Sequence, residues 1–173
     1  MFFKIQSFIV ILSLLKSCEC NELKLKIEDL FVDFINYTYV DEETFSIDID
    51  YETETKSVMN LRLDIIEDLP KDIGFKMKVW GRAFGQYTVP TGINLDVKLC
   101  QGKLQAVIKP FMVEAGMSDT CPPNKGTYES HAMSTEIVGL PLSVLPGLHF
   151  LVESEAYSAD AVLAKVRCYI FVT

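Results

Sequence analysis

The sequence predicts a mostly β protein whose antiparallel strands form two layers, either a sandwich or an open cup. Short segments alternate apolar and polar residues with a period of two, which is typical of strands with one dry and one wet face. Proline, glycine and polar turn residues separate these segments. Strands do not alternate with helices along the chain, so a parallel sheet is not expected.

Size and charge narrow the possible functions. The chain has 173 residues, which suits one domain, and its hydrophobic content of 49% can supply a core. The net charge of −8 argues against nucleic acid as a partner, because phosphate binding needs clustered Lys and Arg. Transient contact with a membrane surface stays open, since uncharged apolar loops can enter lipid.

The first 20 residues have the pattern of a secretory signal. Lys4 supplies positive charge, residues 8–15 are an apolar run, and small residues follow at 17–20. The run is shorter than the roughly 20 residues that span a bilayer. An uncleaved N-terminal anchor is the alternative. We therefore expect residues 21–173 to be one exported domain, secreted to the extracellular space, with the lysosomal lumen as second choice.

The strand pattern is clearest in the first half of the chain. Residues 23–27 alternate, and residues 30–40 are apolar on both faces, so a helix remains an alternative there. A hairpin follows, with a polar turn at 54–57. Its dry face consists of Phe45, Ile47, Ile49 and Tyr51 on one strand and Met59, Leu61, Leu63 and Ile65 on the next.

The second half continues this alternation and contains one change of period. Strands are predicted near residues 75–79, 93–99, 126–138, 148–152 and 162–172. Apolar residues recur at helical spacing within 101–117, where Pro110 would kink a helix. The prediction is thus about eight strands and one short helical insert around 101–117.

Five cysteines and one glycosylation triplet suit an exported protein. Cys18, Cys20, Cys100, Cys121 and Cys168 lack the spacing of a zinc site. If one of the first two leaves with the signal, two disulfides can form, and the sequence allows three connectivities. Asn36-Tyr37-Thr38 is a glycosylation acceptor that requires an outward-facing Asn36.

Catalysis has little support in the sequence. His131 and His149 have no adjacent nucleophile motif, and no metalloprotease, hydrolase or phosphate-loop motif occurs. Acidic pairs such as Glu153 and Glu155 are most simply solvated residues on strands. The sequence predicts a protein that is not an enzyme and that needs no metal or cofactor.

One ordered set of residues resembles a known family. Cys121, Pro122, Gly126 and Tyr128 form the pattern C-P-x-x-x-G-x-Y, followed by Leu140-Pro141, Gly147, Phe150 and a late Cys168. This order resembles the ganglioside activator proteins and related lipid-recognition proteins of the ML type, including the arthropod chemosensory B proteins. The resemblance covers roughly residues 90–173, whereas the first half agrees by strand pattern only.

The resemblance implies a β-cup with a lipid-sized apolar cavity. It implies a bridge between Cys100 and Cys121, and a second between Cys168 and Cys20 or Cys18. The uncharged loop of residues 140–146 is either a buried connection or a rim at which Leu142, Val144 and Leu145 contact membrane or ligand. The cavity lining would be Phe45, Ile47, Ile49, Tyr51, Met59, Leu61, Leu63, Phe75, Met77, Val79, Leu148, Phe150 and Val152. The family has further bridges that this chain lacks, which leaves ligand specificity open.

Two functions follow from these expectations. The first is a secreted, non-enzymatic carrier of a lipid or other hydrophobic small molecule, in chemosensory use or in presenting lipid to a hydrolase. The alternative is a secreted β-sandwich whose apolar faces pack into a filled core and which binds a receptor by its surface. Alternation does not separate the two, because a packed core and a cavity need the same pattern.

Overall fold

Eight antiparallel strands build two sheets, as a computed structural model of the chain shows. It describes residues 25–52, 57–100, 120–134 and 147–172, together with residues 113 and 116. The strands are β1 (Leu25–Ile35), β2 (Ser46–Tyr51), β3 (Ser57–Ile65), β4 (Gly74–Ala83), β5 (Gln86–Lys98), β6 (Gly126–Ser134), β7 (His149–Tyr157) and β8 (Val162–Val172). The predicted antiparallel, two-layer β class is confirmed.

The smaller sheet has the order β2-β3-β6 and contains the predicted hairpin. Ile47 pairs with Leu61 and Ile49 with Met59, so their side chains share one face. These four are half-buried, whereas Asp48 on the opposite face of β2 is exposed. The hydrophobic alternation of the sequence therefore fixes which face of this sheet is turned inward.

The larger sheet has the order β1-β8-β7-β4-β5. The two N-terminal segments of the sequence form one strand, β1, with register shifts between Ile27 and Asp29 and between Val32 and Phe34. Each shift moves later side chains to the other face. This explains why the run from residue 30 is apolar in both phases. β5 begins well before the segment predicted near residues 93–99, and it accommodates Pro90 because it lies at the sheet edge.

The outer face of the larger sheet is covered by cross-strand ion pairs. A carboxylate oxygen of Glu155 lies 3.2 Å from the Lys165 ammonium, and the other lies 3.8 Å from that of Lys76. Arg167 contacts both carboxylate oxygens of Asp33. Such pairs contribute little individually, but they mark this face as solvated.

The two ends of the sandwich differ, and we name them by their chain features. At the disulfide end, β5 finishes, β6 begins, and Cys100 is bonded to Cys121. At the hairpin end, a two-residue turn joins β4 to β5, β7 begins, and the Tyr51 hydroxyl donates to the carbonyl oxygen of Glu28. The latter contact joins the smaller sheet to β1 of the larger one.

The predicted helical insert around 101–117 lies outside the described residues except for single positions. Within the described ranges, we find no helix with the length and apolar character that crossing a bilayer requires.

Candidate ligand-binding chamber

A row of small side chains leaves room on the inner face of the larger sheet. Phe75 pairs with Ala156, Ala156 with Ala164, and Ala164 with Ile35, so all four side chains lie side by side on one face. Two adjacent alanines in the centre of this row end in methyl groups, and the next residue of β7 on the same face, Ser154, is also small. The sheet surface is therefore recessed at this point.

The smaller sheet and the connecting loops enclose this recess. Together with Ile35, Ala156 and Ala164, they line an apolar chamber of about 270 Å³ near the disulfide end. The other lining residues are Asn36, Tyr39, Val40, Phe45, Leu63, Ile65, Leu69, Ile73, Leu99, Pro123 and Leu163. Because both sheets contribute, the chamber lies between the two layers.

The chemistry of the lining is almost wholly apolar. The described lining residues include no charged side chain. The amide of Asn36 is already engaged: its nitrogen donates to the carbonyl of Val162 (3.2 Å), and its oxygen accepts from the amide of Thr38 (3.1 Å). Burying an unpaired polar or charged ligand group here would cost several kcal/mol, roughly 2–7 for a neutral polar group. The chamber thus favours an alkyl or aryl group.

The volume of the chamber limits what it can hold. Small-molecule pockets usually measure about 300–1,000 Å³, and an apolar cavity of about 150 Å³ already binds benzene. At about 270 Å³, the chamber suits a compact apolar molecule or the terminal segment of one alkyl chain.

The predicted cavity residues divide into three groups. Phe45 and Leu63 line the chamber. Tyr51 and Leu148 are 54% and 41% exposed at the hairpin end and are not part of the chamber lining. The remaining predicted residues are half-buried but are not part of the chamber lining; they are Ile47, Ile49, Met59, Leu61, Phe75, Met77, Val79, Phe150 and Val152.

Half-burial of these inward residues distinguishes the interior from a close-packed core. Among the described residues, the fully buried hydrophobic side chains are few: Ile27, Val58, Ile65, Ile73, Tyr128, Leu163 and Val172. Interiors of ordinary domains are packed as densely as organic crystals. The two inner faces of this protein therefore do not interlock along their whole length.

Sequence reasoning missed most of the chamber lining. Ala156 and Ala164 fall in the inward phase of their strands but carry little hydrophobic signal. Leu69, Ile73, Leu99 and Pro123 lie at strand ends or in loops, where periodicity gives no orientation. The one available signal was an alanine in the inward phase of each of two strands.

One of the two implied disulfides lies within the described residues. Cys100 and Cys121 are bonded, which confirms the first bridge. Cys168 is a free thiol in the structure, and because its candidate partners Cys18 and Cys20 lie outside the described residues, the second bridge stays a prediction. Cys168 pairs with Leu30 and Val152 in the middle of the sheet. Burial, with a smaller effect from Asp29, raises the pKa of its thiol to about 12.

The remaining predicted positions are placed as follows. Asn36 is half-buried with its amide nitrogen donating to Val162, so the outward orientation that glycosylation requires is not found. The rim residues Leu142, Val144 and Leu145 lie outside the described residues. Trp80, a residue of the outer face, donates from its indole nitrogen to Glu153 (2.7 Å).

Each of the two histidines in the described ranges lies beside one glutamate. His149 lies 2.8 Å from Glu28 and stacks on Phe171 with ring centroids 4.6 Å apart. His131 lies 3.3 Å from Glu129 on the surface. Within these ranges, no three His, Cys, Asp or Glu side chains meet in a way that could hold a metal ion.

Comparison with known proteins gives no functional information, so any functional argument rests on the fold and the chamber. No protein-family model matches the chain, and no curated protein sequence matches it either.

Proposed function

We propose that this protein is a secreted, non-enzymatic carrier of a hydrophobic small molecule or of a lipid bound by one alkyl segment. The observation that carries the proposal is the apolar chamber between the two sheets. Both layers line it, and the described lining residues include no charged side chain. The signal-like N-terminus and the Cys100–Cys121 bridge suit export. The resemblance to ganglioside activator-like lipid-recognition proteins points in the same direction.

The energetics favour such a ligand. Each methylene moved from water into an apolar site gains about 0.8 kcal/mol, so a short alkyl segment gains several kcal/mol before the costs of association. The ligand keeps any charged head group outside, because the described lining has no charged side chain and the Asn36 amide is already engaged. Specificity would then arise from the size and shape of the apolar part.

The test is uptake of a fluorescent fatty acid by the exported protein, together with native mass spectrometry for a co-purified ligand. Phe45 lines the chamber, so Phe45→Asp should abolish saturable uptake because it places a charge there. The matched control is Ile66→Asp, since Ile66 is 47% exposed and is not a lining residue. A protein that is purified empty and takes up no apolar probe contradicts the carrier function and favours a surface-binding module.

A further inference from the structure

The turn between β4 and β5 carries an aromatic side chain in an unfavourable place. Ala83 pairs with Gln86, so Phe84 and Gly85 form a two-residue turn, with φ of 51° and 81°. Hairpin turns with two positive φ values favour Asn-Gly, because a bulky side chain is strained there. Phe84 is also fully exposed, at 107% of its reference area. The phenyl group therefore stabilises no packing and adds strain, which points to a role outside the fold.

The same hairpin carries positive charge in an acidic protein. Residues 73–95 include Lys76, Lys78 and Arg82 and contain no Asp or Glu, whereas the whole chain has a net charge of −8. The guanidinium of Arg82 lies 5.8 Å from the ring centre of Tyr87. Lys76 lies 3.8 Å from Glu155 of the neighbouring strand β7, and Lys78 pairs with Glu153 of that strand, so the positive charge close to the tip comes from Arg82.

The order of side chains from the tip inward matches a lipid interface. The phenyl of Phe84 comes first, Arg82 and Tyr87 follow, and Trp80 lies further along the hairpin. Trp and Tyr concentrate at membrane–water interfaces, where one side of the ring is apolar and the other is wet. Leu148, 41% exposed, adds apolar surface at the same end of the sandwich.

We propose that the β4–β5 hairpin anchors the protein to a phospholipid surface, with Phe84 entering between the head groups. A narrow convex turn suits a fluid interface, which closes around it. A stable protein partner needs about 800 Å² on each side, and one turn offers much less. The inference deepens the proposed function and rests on it in one respect. If the protein carries a ligand, the lipid surface is the place at which that ligand would be collected or delivered.

Vesicle co-sedimentation tests the anchor directly. Protein purified from the medium of an expressing host is mixed with vesicles of phosphatidylcholine, with and without phosphatidylserine. Binding should occur with both kinds of vesicle and strengthen modestly with phosphatidylserine, and added salt should remove that increment because it screens Arg82. Phe84→Gly should weaken binding about tenfold or more, since a buried phenyl contributes at least that factor.

Two further variants separate anchoring from folding. Phe84→Gly should also keep or raise the unfolding temperature, because glycine adopts positive φ without strain. Phe84→Trp should retain binding, and its emission should shift to the blue and be quenched by brominated lipids. Ile66→Asn is the control: Ile66 is 47% exposed but follows β3 near the disulfide end, so its replacement should leave binding unchanged.

The anchor is refuted if the wild type binds neither vesicle, or if Phe84→Gly binds as tightly as the wild type. It is also refuted if Ile66→Asn weakens binding as much as Phe84→Gly does. Ligand uptake is measured without vesicles, so the two proposals fail separately. Binding that depends on Phe84 without any ligand uptake would support the anchor and contradict the carrier function.

Discussion

Filling the chamber with a larger side chain should raise the free energy of unfolding. The same substitution in a packed core should lower it, so the sign of the change distinguishes a cavity from a packed core. Ala164→Leu adds three carbons to a methyl that lines the chamber. Burying them gains roughly 2.4 kcal/mol at 0.8 kcal/mol per carbon, and ordering the leucine costs about 0.5–1 kcal/mol. The expected net gain in unfolding free energy is about 1.5 kcal/mol. For a chain of this size, that raises the melting temperature by about 3–6 °C.

Urea denaturation with an unchanged m-value measures this gain, and uptake of the fluorescent fatty acid should weaken in the same variant. Ala159→Leu is the control, because Ala159 is exposed and should change neither stability nor uptake appreciably. Inserting the same group into a filled core typically costs 1–3 kcal/mol. A loss of stability of that size for Ala164→Leu would refute the chamber as an open space.

Three other predictions follow from single contacts. Cys121→Ser should lower the unfolding free energy by about 3 kcal/mol in urea titrations, as expected for a bridge that closes a separation of 21 residues; an unchanged value would contradict the bridge. Gly74→Ala should lower the unfolding free energy by about 1–3 kcal/mol, because a Cβ at this position would overlap the Tyr157 ring. In a double-mutant cycle, Tyr157→Ala should remove most of that loss, and strictly additive effects would contradict the steric explanation. Cys168 is a free thiol whose pKa burial raises to about 12, so it should resist iodoacetamide at neutral pH in the native protein. It should react in denaturant without reductant, and failure to react there would indicate a disulfide.

The strand faces could be predicted from the sequence because one physical pattern determines them. Ile47, Ile49, Met59 and Leu61 alternate with polar residues, and the structure pairs them on one inner face. Where a register shift interrupts the alternation, as near Asp29 in β1, the same reasoning gave two segments instead of one strand. A bulge changes the phase of the side chains without leaving a clear mark in composition.

The chamber itself could not be located from the sequence. Alternation states which side chains face inward, but not how far apart the two sheets lie. That spacing depends on tertiary details such as the neighbouring methyls of Ala156 and Ala164, and on loop residues such as Ile73. The second disulfide was expected from family resemblance, and the inward position of Cys168 depends on a register that spacing alone does not give.

The most direct test of the carrier account is a methyl NMR titration of alanine-labelled protein with decanol. The account predicts saturable shifts of the Ala156 and Ala164 methyl signals, with contacts from the decanol chain to both. The exposed Ala159 should show neither. Unchanged Ala156 and Ala164 signals, or equal non-saturating shifts at all three alanines, would contradict a ligand-binding space between the sheets.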